Sequence, residues 1–194
     1  MKKTEQPITN KGTSTRDRIV KEARKHLVER GYEAFVMREL ADTLGIKLGN
    51  LQYYFKTREA LIVHVIEQEA ANDVLTIRSL RQKWDTADDA FRAIVLNLVT
   101  RWRGDSGVLF STLGTLAMHN KSYKQLYRTI YRDFYLALES ALREMKPSLL
   151  DDEVALRVRL ITALIDGSPM QRQVGNVQSY LERVQVQAEA IALA

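Results

Sequence analysis

The chain has 194 residues, 45% of them hydrophobic and 27% charged, with no cysteine, three prolines and nine glycines. That composition suits one domain of ordinary size plus a small appended one; it excludes a wholly disordered chain, a collagen-like or loop-rich protein, a disulfide framework, a thiolate metal site and a cysteine nucleophile. The net charge of +5 is uneven: residues 1–65 hold 13 basic and 8 acidic side chains, whereas residues 66–194 hold 16 of each.

The whole basic excess therefore lies in the first third, the pattern of a chain in which one end meets a polyanion. Charge alone fits a solvated basic surface equally well. No run approaches the ~20 apolar residues of a membrane span. The polar first fifteen residues lack the apolar stretch of a signal peptide. The expectation is a cytoplasmic protein.

Residues 1–13 read as a disordered basic arm. A helix begins at Ser14, which Ser14 or Thr13 can cap, with Ile19, Ala23 and Leu27 on one face and Gly31 as its stop. A second helix covers about Met37 to Leu44 and stops at Gly45; a third covers about Leu48 to Phe55. A fourth starts near Arg58, with Ala60, Leu61, Val65 and Ile66 at helical spacing. Thr86 with Asp89 resembles a capping box for a helix carrying Phe91, Ile94, Val95, Leu98 and Trp102. The stretch Gly104-Asp105-Ser106-Gly107 breaks it, and a short apolar helix follows over about 108–118. A long amphipathic helix runs from about Ser122 to Lys146, stopped by Pro147. Residues 151–166 and 176–192 are the last two helices, separated by Gly167-Ser168-Pro169 and Gly175. No period-two segment is long enough for a strand. The chain is expected to be all-α, with about nine helices and three parts: the arm over 1–13, a first helical domain over 14–60 and a second helical domain over 61–194.

The informative segment is residues 36–55, VMRELADTLGIKLGNLQYYF. Two short helices joined by a glycine in a tight turn mark a helix-turn-helix. The outer face of the second carries Lys47, Leu48, Gly49, Gln52 and Tyr53 where an ordinary surface helix carries Glu and Lys. Gln52 can pair bidentately with adenine in a major groove, and Tyr53 or Tyr54 can donate to a phosphate. A packing motif with surface tyrosines would show the same turn.

Residues about 14–66 resemble the N-terminal DNA-binding domain of TetR-family transcriptional regulators. The resemblance rests on Arg18-Ile19, Ala23, Gly31-Tyr32, Leu40-Ala41, Gly45-Ile46, Gly49-Asn50-Leu51, Tyr53-Tyr54-Phe55-Lys56 and Arg58-Glu59-Ala60-Leu61. Three positions depart from the family pattern. Val36 and Lys47 stand where the family usually has capping Thr and Ser, and Gln52 stands where it usually has Tyr. The resemblance implies DNA contact by Lys47, Leu48, Gly49, Asn50, Gln52, Tyr53, Tyr54, Lys56 and Arg58. Gln52 and Gly49 are the candidates for base edges; Tyr53, Lys56 and Arg58 are those for phosphates.

In the rest of the chain, Val154, Val158, Ile161 and Ile165 are spaced 4, 3, 4, and Val177, Leu181, Val184, Ala188 and Ile191 are spaced 4, 3, 4, 3. Such seams suit helix packing at ~20°. With Leu156, Leu160, Leu164 and Tyr180 off the seams, they point to a homodimer interface, which the resemblance also implies. A monomer core is the alternative. The long helix carries Tyr123, Tyr127, Tyr131 and Tyr135 at i, i+4 spacing beside Phe134, and Trp102, Phe110, Leu113, Met118 and His119 are candidates to face them. The resemblance implies that this region encloses the pocket of a small, largely apolar or aromatic effector that releases a repressor from a near-palindromic operator. Arg103, His119 and Asp166 are polar candidates for orienting a ligand, although Asp166 can equally cap the Gly167-Ser168-Pro169 break.

No cofactor or metal is expected. The three histidines are scattered, and no nucleophile elbow, P-loop or dinucleotide fingerprint is present. An enzyme is therefore disfavoured. A DNA-binding regulator without small-molecule input, governed by protein partners or its own level, is the remaining alternative.

Overall fold

The computed structural model describes residues 10–171, 174–175 and 179–194, with side chains from Thr15 onward. Residues 1–9 of the expected arm and Val177 of the expected seam lie outside the described residues. All regular structure among the described residues is helical, in nine helices, and it falls into two compact units, Met1–Val65 and Ile66–Ala194.

The first unit contains α1 (Asn10–Arg30), α2 (Met37–Thr43), α3 (Leu48–Tyr54) and the start of α4 (Arg58–Lys83). Helix α1 begins four residues before the expected Ser14, so Thr13 and Ser14 lie inside it rather than capping it. Ile19, Ala23 and Leu27 on α1 join Phe35, Leu40, Ala41, Leu51, Phe55, Leu61, Ile62 and Val65 in one apolar core. Of the four residues at helical spacing on α4, Leu61, Val65 and Ile66 are buried and Ala60 is exposed. The turn after α2 closes on two backbone bonds, Gly45 N to Asp42 O at 3.0 Å and Ile46 N to Ala41 O at 3.0 Å. That pattern requires the left-handed conformation at Gly45, which has φ +66°. As the sequence suggested, Val36 and Lys47 give α2 and α3 no side-chain cap.

The second unit contains the rest of α4 with α5 (Ala87–Arg103), α6 (Asp105–His119), α7 (Lys121–Met145), α8 (Asp151–Gln171) and α9 (Tyr180–Leu193). Thr86 caps α5 by accepting from Asp89 N at 3.1 Å, and its hydroxyl donates to Asp89 Oδ2 at 2.7 Å. Asn120 caps α7 by accepting from the amides of Ser122 and Tyr123. The break before α6 is narrower than expected: only Gly104 interrupts the helices. Gly107 packs so tightly that a Cβ there would lie 2.1 Å from the Trp102 carbonyl oxygen and 2.7 Å from Pro169 Cγ.

Helix α8 runs through Gly167-Ser168-Pro169, where a break was expected. A proline inside a helix leaves the carbonyl four residues earlier without its donor. Here that carbonyl is Ile165's, and the buried Ser168 hydroxyl donates to it at 2.7 Å. The side chain thus restores the bond that Pro169 removes.

The two heptad-like seams also need correction. Val154, Val158, Ile161 and Ile165 on α8, and Val184 and Ala188 on α9, are closed inside a single chain, where α8 packs against α5, α7 and α9. They cannot face a second copy. Leu181 is half-buried. The large apolar residues that α8 and α9 leave in the open are Leu156 (51% exposed), Leu160 (48%), Met170 (58%), Val186 (52%) and Leu193.

Candidate nucleic-acid interface and effector pocket

In the first unit, Leu51 anchors α3 in the core while its opposite face points outward. Lys47, Gly49, Asn50, Gln52, Tyr53 and Lys56 are exposed; Leu48 and Tyr54 are half-buried. Tyr53 is 80% exposed and meets Tyr54 edge to face, with ring centroids 5.3 Å apart. Gly49 deserves a physical reading because the fold itself does not call for it. A Cβ there would meet nothing within 4 Å, and glycine inside a helix costs about 1 kcal/mol relative to alanine. The space above Gly49 is free for another surface to approach the backbone.

Arg58 departs from the expectation. Its guanidinium lies over the Tyr32 ring, 4.1 Å from the centroid, and donates to the Tyr32 carbonyl oxygen. This half-buried side chain clamps the start of α4 to the segment after α1, a structural role that the sequence pattern did not point to. Two arginines of α1, Arg16 and Arg18, brace the motif. Arg18 Nη2 donates to the Leu44 carbonyl at 3.4 Å, at the turn itself, and Arg16 lies 5.0 Å from the centroid of Phe55. Their i, i+2 spacing on α1 carries no signal of that role.

In the second unit, a pocket of about 150 Å3 is lined by Trp102, Phe110, Tyr127, Tyr131, Asp166 and, at its rim, the 78%-exposed Met118; Ser111, Gly114, Thr115 and Met170 complete it. Its rings form two stacked pairs, Trp102 with Phe110 at 4.8 Å and Tyr127 with Tyr131 at 4.1 Å between centroids. A small void of about 10 Å3 shares Trp102, Phe110 and Tyr131 as walls and is closed by Ala70 and Asp73 of α4, with Ile130 and Phe134. Five of the ten expected pocket residues thus line the pocket: Trp102, Phe110, Met118, Tyr127 and Tyr131. Phe134 borders only the small void, and Leu113 and Tyr123 are core residues. Arg103 and His119 are exposed at the ends of their helices and do not line the pocket. The tyrosine ladder divides as a drifting i, i+4 stripe must, with Tyr135 half-buried in a separate groove beside Arg159.

Asp166 does not cap a helix break, because there is none. Its Oδ2 accepts from the Tyr131 hydroxyl at 2.7 Å, while Oδ1 is buried with no hydrogen-bond partner. Burial pushes its carboxyl up to about 7, against a smaller lowering by the Tyr131 hydrogen bond. Burial likewise raises Asp73 to about 6, although Arg101 lies 2.6 Å away. Arg101 also bonds Glu69 at 3.0 Å, and Ser106 donates to the same Glu69 oxygen, so two buried carboxylates of α4 share one guanidinium.

The described residues thus combine a helix-turn-helix whose second helix presents a polar outer face with an all-helical unit that holds an aromatic pocket. Residues 19–65 match the family described as bacterial regulatory proteins, tetR family. No curated protein matches the sequence. The fold extends over nearly the whole chain in solved structures. A TetR transcription regulator from Haloarcula marismortui superposes with a TM-score of 0.79 at 16% identity, covering 93% of this chain and 97% of that one. E. coli NemR in its reduced form gives 0.76 at 18%, covering 91% and 96%. A transcriptional regulator from Saccharomonospora viridis, solved in complex with choline, gives 0.75 at 18%, covering 92% and 95%. Among the described residues, no helix is long and apolar enough to cross a membrane.

Proposed function

We propose that the protein is a ligand-responsive repressor that binds a near-palindromic operator as a homodimer. The observation that carries this reading is the outer face of α3, where Gly49, Gln52 and Tyr53 are all open to an incoming surface. Gln52 reads a base edge in the major groove. Gly49 lets the backbone come close to the duplex, and Tyr53, Lys47 and Lys56 contact phosphates. Arg58 holds the motif together instead. Two copies related by a two-fold axis present two such helices to half-sites set by the helical repeat. Leu156, Leu160 and Leu164 of α8, with Val186 and Leu193 of α9, form the contact between copies. They replace the buried seam residues in that role.

The aromatic pocket takes the effector. Its walls Trp102, Phe110 and Tyr131 also bound the void closed by Ala70 and Asp73 of α4. A ligand that moves those rings acts on α4, and α4 begins in the DNA-binding unit. An effector favouring one placement of α4 lowers operator affinity in proportion to its preference between the two states. The test is selection of bound sequences from random duplexes, repeated with effector candidates present. A recovered site with two-fold symmetry supports the reading. Recovery of single, asymmetric sites, or no enrichment, counts against it. A regulator without small-molecule input would give the same site and no response to any ligand.

A further inference from the structure

The chemistry of the pocket narrows the class of effector, an inference that rests on the pocket being the effector site. We propose that it binds a compact organic cation, a protonated amine on an aromatic or branched apolar body, with the ammonium group held by Asp166 and the surrounding rings.

Asp166 is the one ionisable carboxylate among the described residues that line this pocket, and no lysine, arginine or histidine lines it. One carboxylate oxygen is occupied by Tyr131; the other, Oδ1, is buried and lacks any hydrogen-bond partner. A buried acceptor left unmade is costly, and a charged donor is the partner that recovers most from it. Burial also holds the carboxyl near 7, the signature of a carboxylate without a compensating cation.

Trp102, Phe110, Tyr127 and Tyr131 supply four aromatic rings around the acid. Ring quadrupoles attract a cation and repel an anion. An anionic effector would meet Asp166 with nothing to neutralise either charge. A neutral one would gain the apolar contacts but leave Oδ1 with at most a weak donor.

A volume of about 150 Å3 matches cavities that accept a single benzene-sized body. The larger groove of about 410 Å3 beside it carries Arg128, Arg132 and Arg159 with a single carboxylate, Glu139, and shares only Tyr127 and Tyr131 with the pocket. Arg132 there is paired with Asp133, and Arg159 lies over Tyr135. Of these two neighbouring sites, only the pocket that holds Asp166 has a lining that favours a cation.

The experiment uses the full chain near pH 8 and three probes of similar shape: 2-phenylethylammonium, 2-phenylethanol and 3-phenylpropionate. Binding is read by calorimetry and by tryptophan fluorescence. The expected order places the ammonium at least about tenfold tighter than the alcohol, with the carboxylate weakest. Asp166→Asn brings the ammonium to the affinity of the alcohol and leaves alcohol binding within about twofold, which also reports that the variant pocket is intact. The proposal is overturned if the alcohol or the carboxylate binds wild-type protein as tightly as the ammonium; the pocket then remains an effector site of another class. It is also overturned if Asp166→Asn keeps the preference for the cation. Failure of all three probes to bind at about 10 mM, an affinity too weak to matter, removes the pocket reading together with the proposal.

Discussion

Replacing Asp166 by Asn makes a quantitative test of the buried carboxyl. In the folded protein burial raises this group from 3.8 to about 7, so the folded state holds its proton more tightly than the unfolded chain does. Between those two values the folded state binds more protons, and stability falls as pH rises. At about 1.4 kcal/mol per pH unit, the difference of about 3 units corresponds to a ceiling of about 4 kcal/mol lost between pH 4 and pH 8. Asparagine cannot ionise and still accepts from Tyr131, so the variant loses this dependence. Asp73 contributes with the same sign, being raised to about 6 by burial, but it is common to both proteins and cancels in the difference. The assay is urea unfolding at fixed protomer concentration over this pH range, followed by tryptophan fluorescence. Both tryptophans, Trp84 and Trp102, lie in the second unit, so the signal reports that unit. The stability of Asp166→Asn relative to wild type should rise by at least about 2 kcal/mol from pH 4 to pH 8. Parallel curves for the two proteins would refute the burial argument.

Other positions give sharp expectations. Ser168→Ala leaves the Ile165 carbonyl without a donor and should cost about 1–3 kcal/mol in urea unfolding; adding Pro169→Ala supplies the missing N–H and should recover most of it. Gly49→Ala fills open space in a helix and should raise stability by about 0.5–1 kcal/mol in thermal unfolding, while weakening DNA binding measured on the same sample. Leu160→Arg should shift sedimentation from dimer to monomer with little change in helical circular dichroism, because the side chain is half exposed within one chain.

Much of the helical order was legible in the sequence because apolar spacing and caps act locally. The helix at Thr86, the stop at Gly45 and the start at Arg58 all fall where local chemistry puts them. The break expected at Gly167-Ser168-Pro169 failed because a serine hydroxyl one residue before the proline replaced the lost bond. Spacing alone could not decide whether the seam of Val154, Val158, Ile161 and Ile165 faced a second copy or the chain's own core. A periodic stripe marks a buried face without naming what buries it. In the site, Gly49, Gln52 and Tyr53 were readable as an unusual outer face. The role of Arg58 was not, since the partner that claims it is Tyr32, 26 residues away. The pocket followed the same division: the aromatic walls showed in the tyrosine ladder, but the pairing of Tyr131 with Asp166 spans 35 residues and emerges only when α7 and α8 pack.

The measurement closest to the central claim is equilibrium binding of wild type and Gln52→Ala to a selected duplex, to duplexes altered at single positions and to random DNA. The account predicts that Gln52→Ala loses about 1–3 kcal/mol of discrimination at one base-pair position and keeps its affinity for random sequence. Equal weakening on specific and random duplexes, or no change on either, would contradict the assignment of the α3 face to base reading.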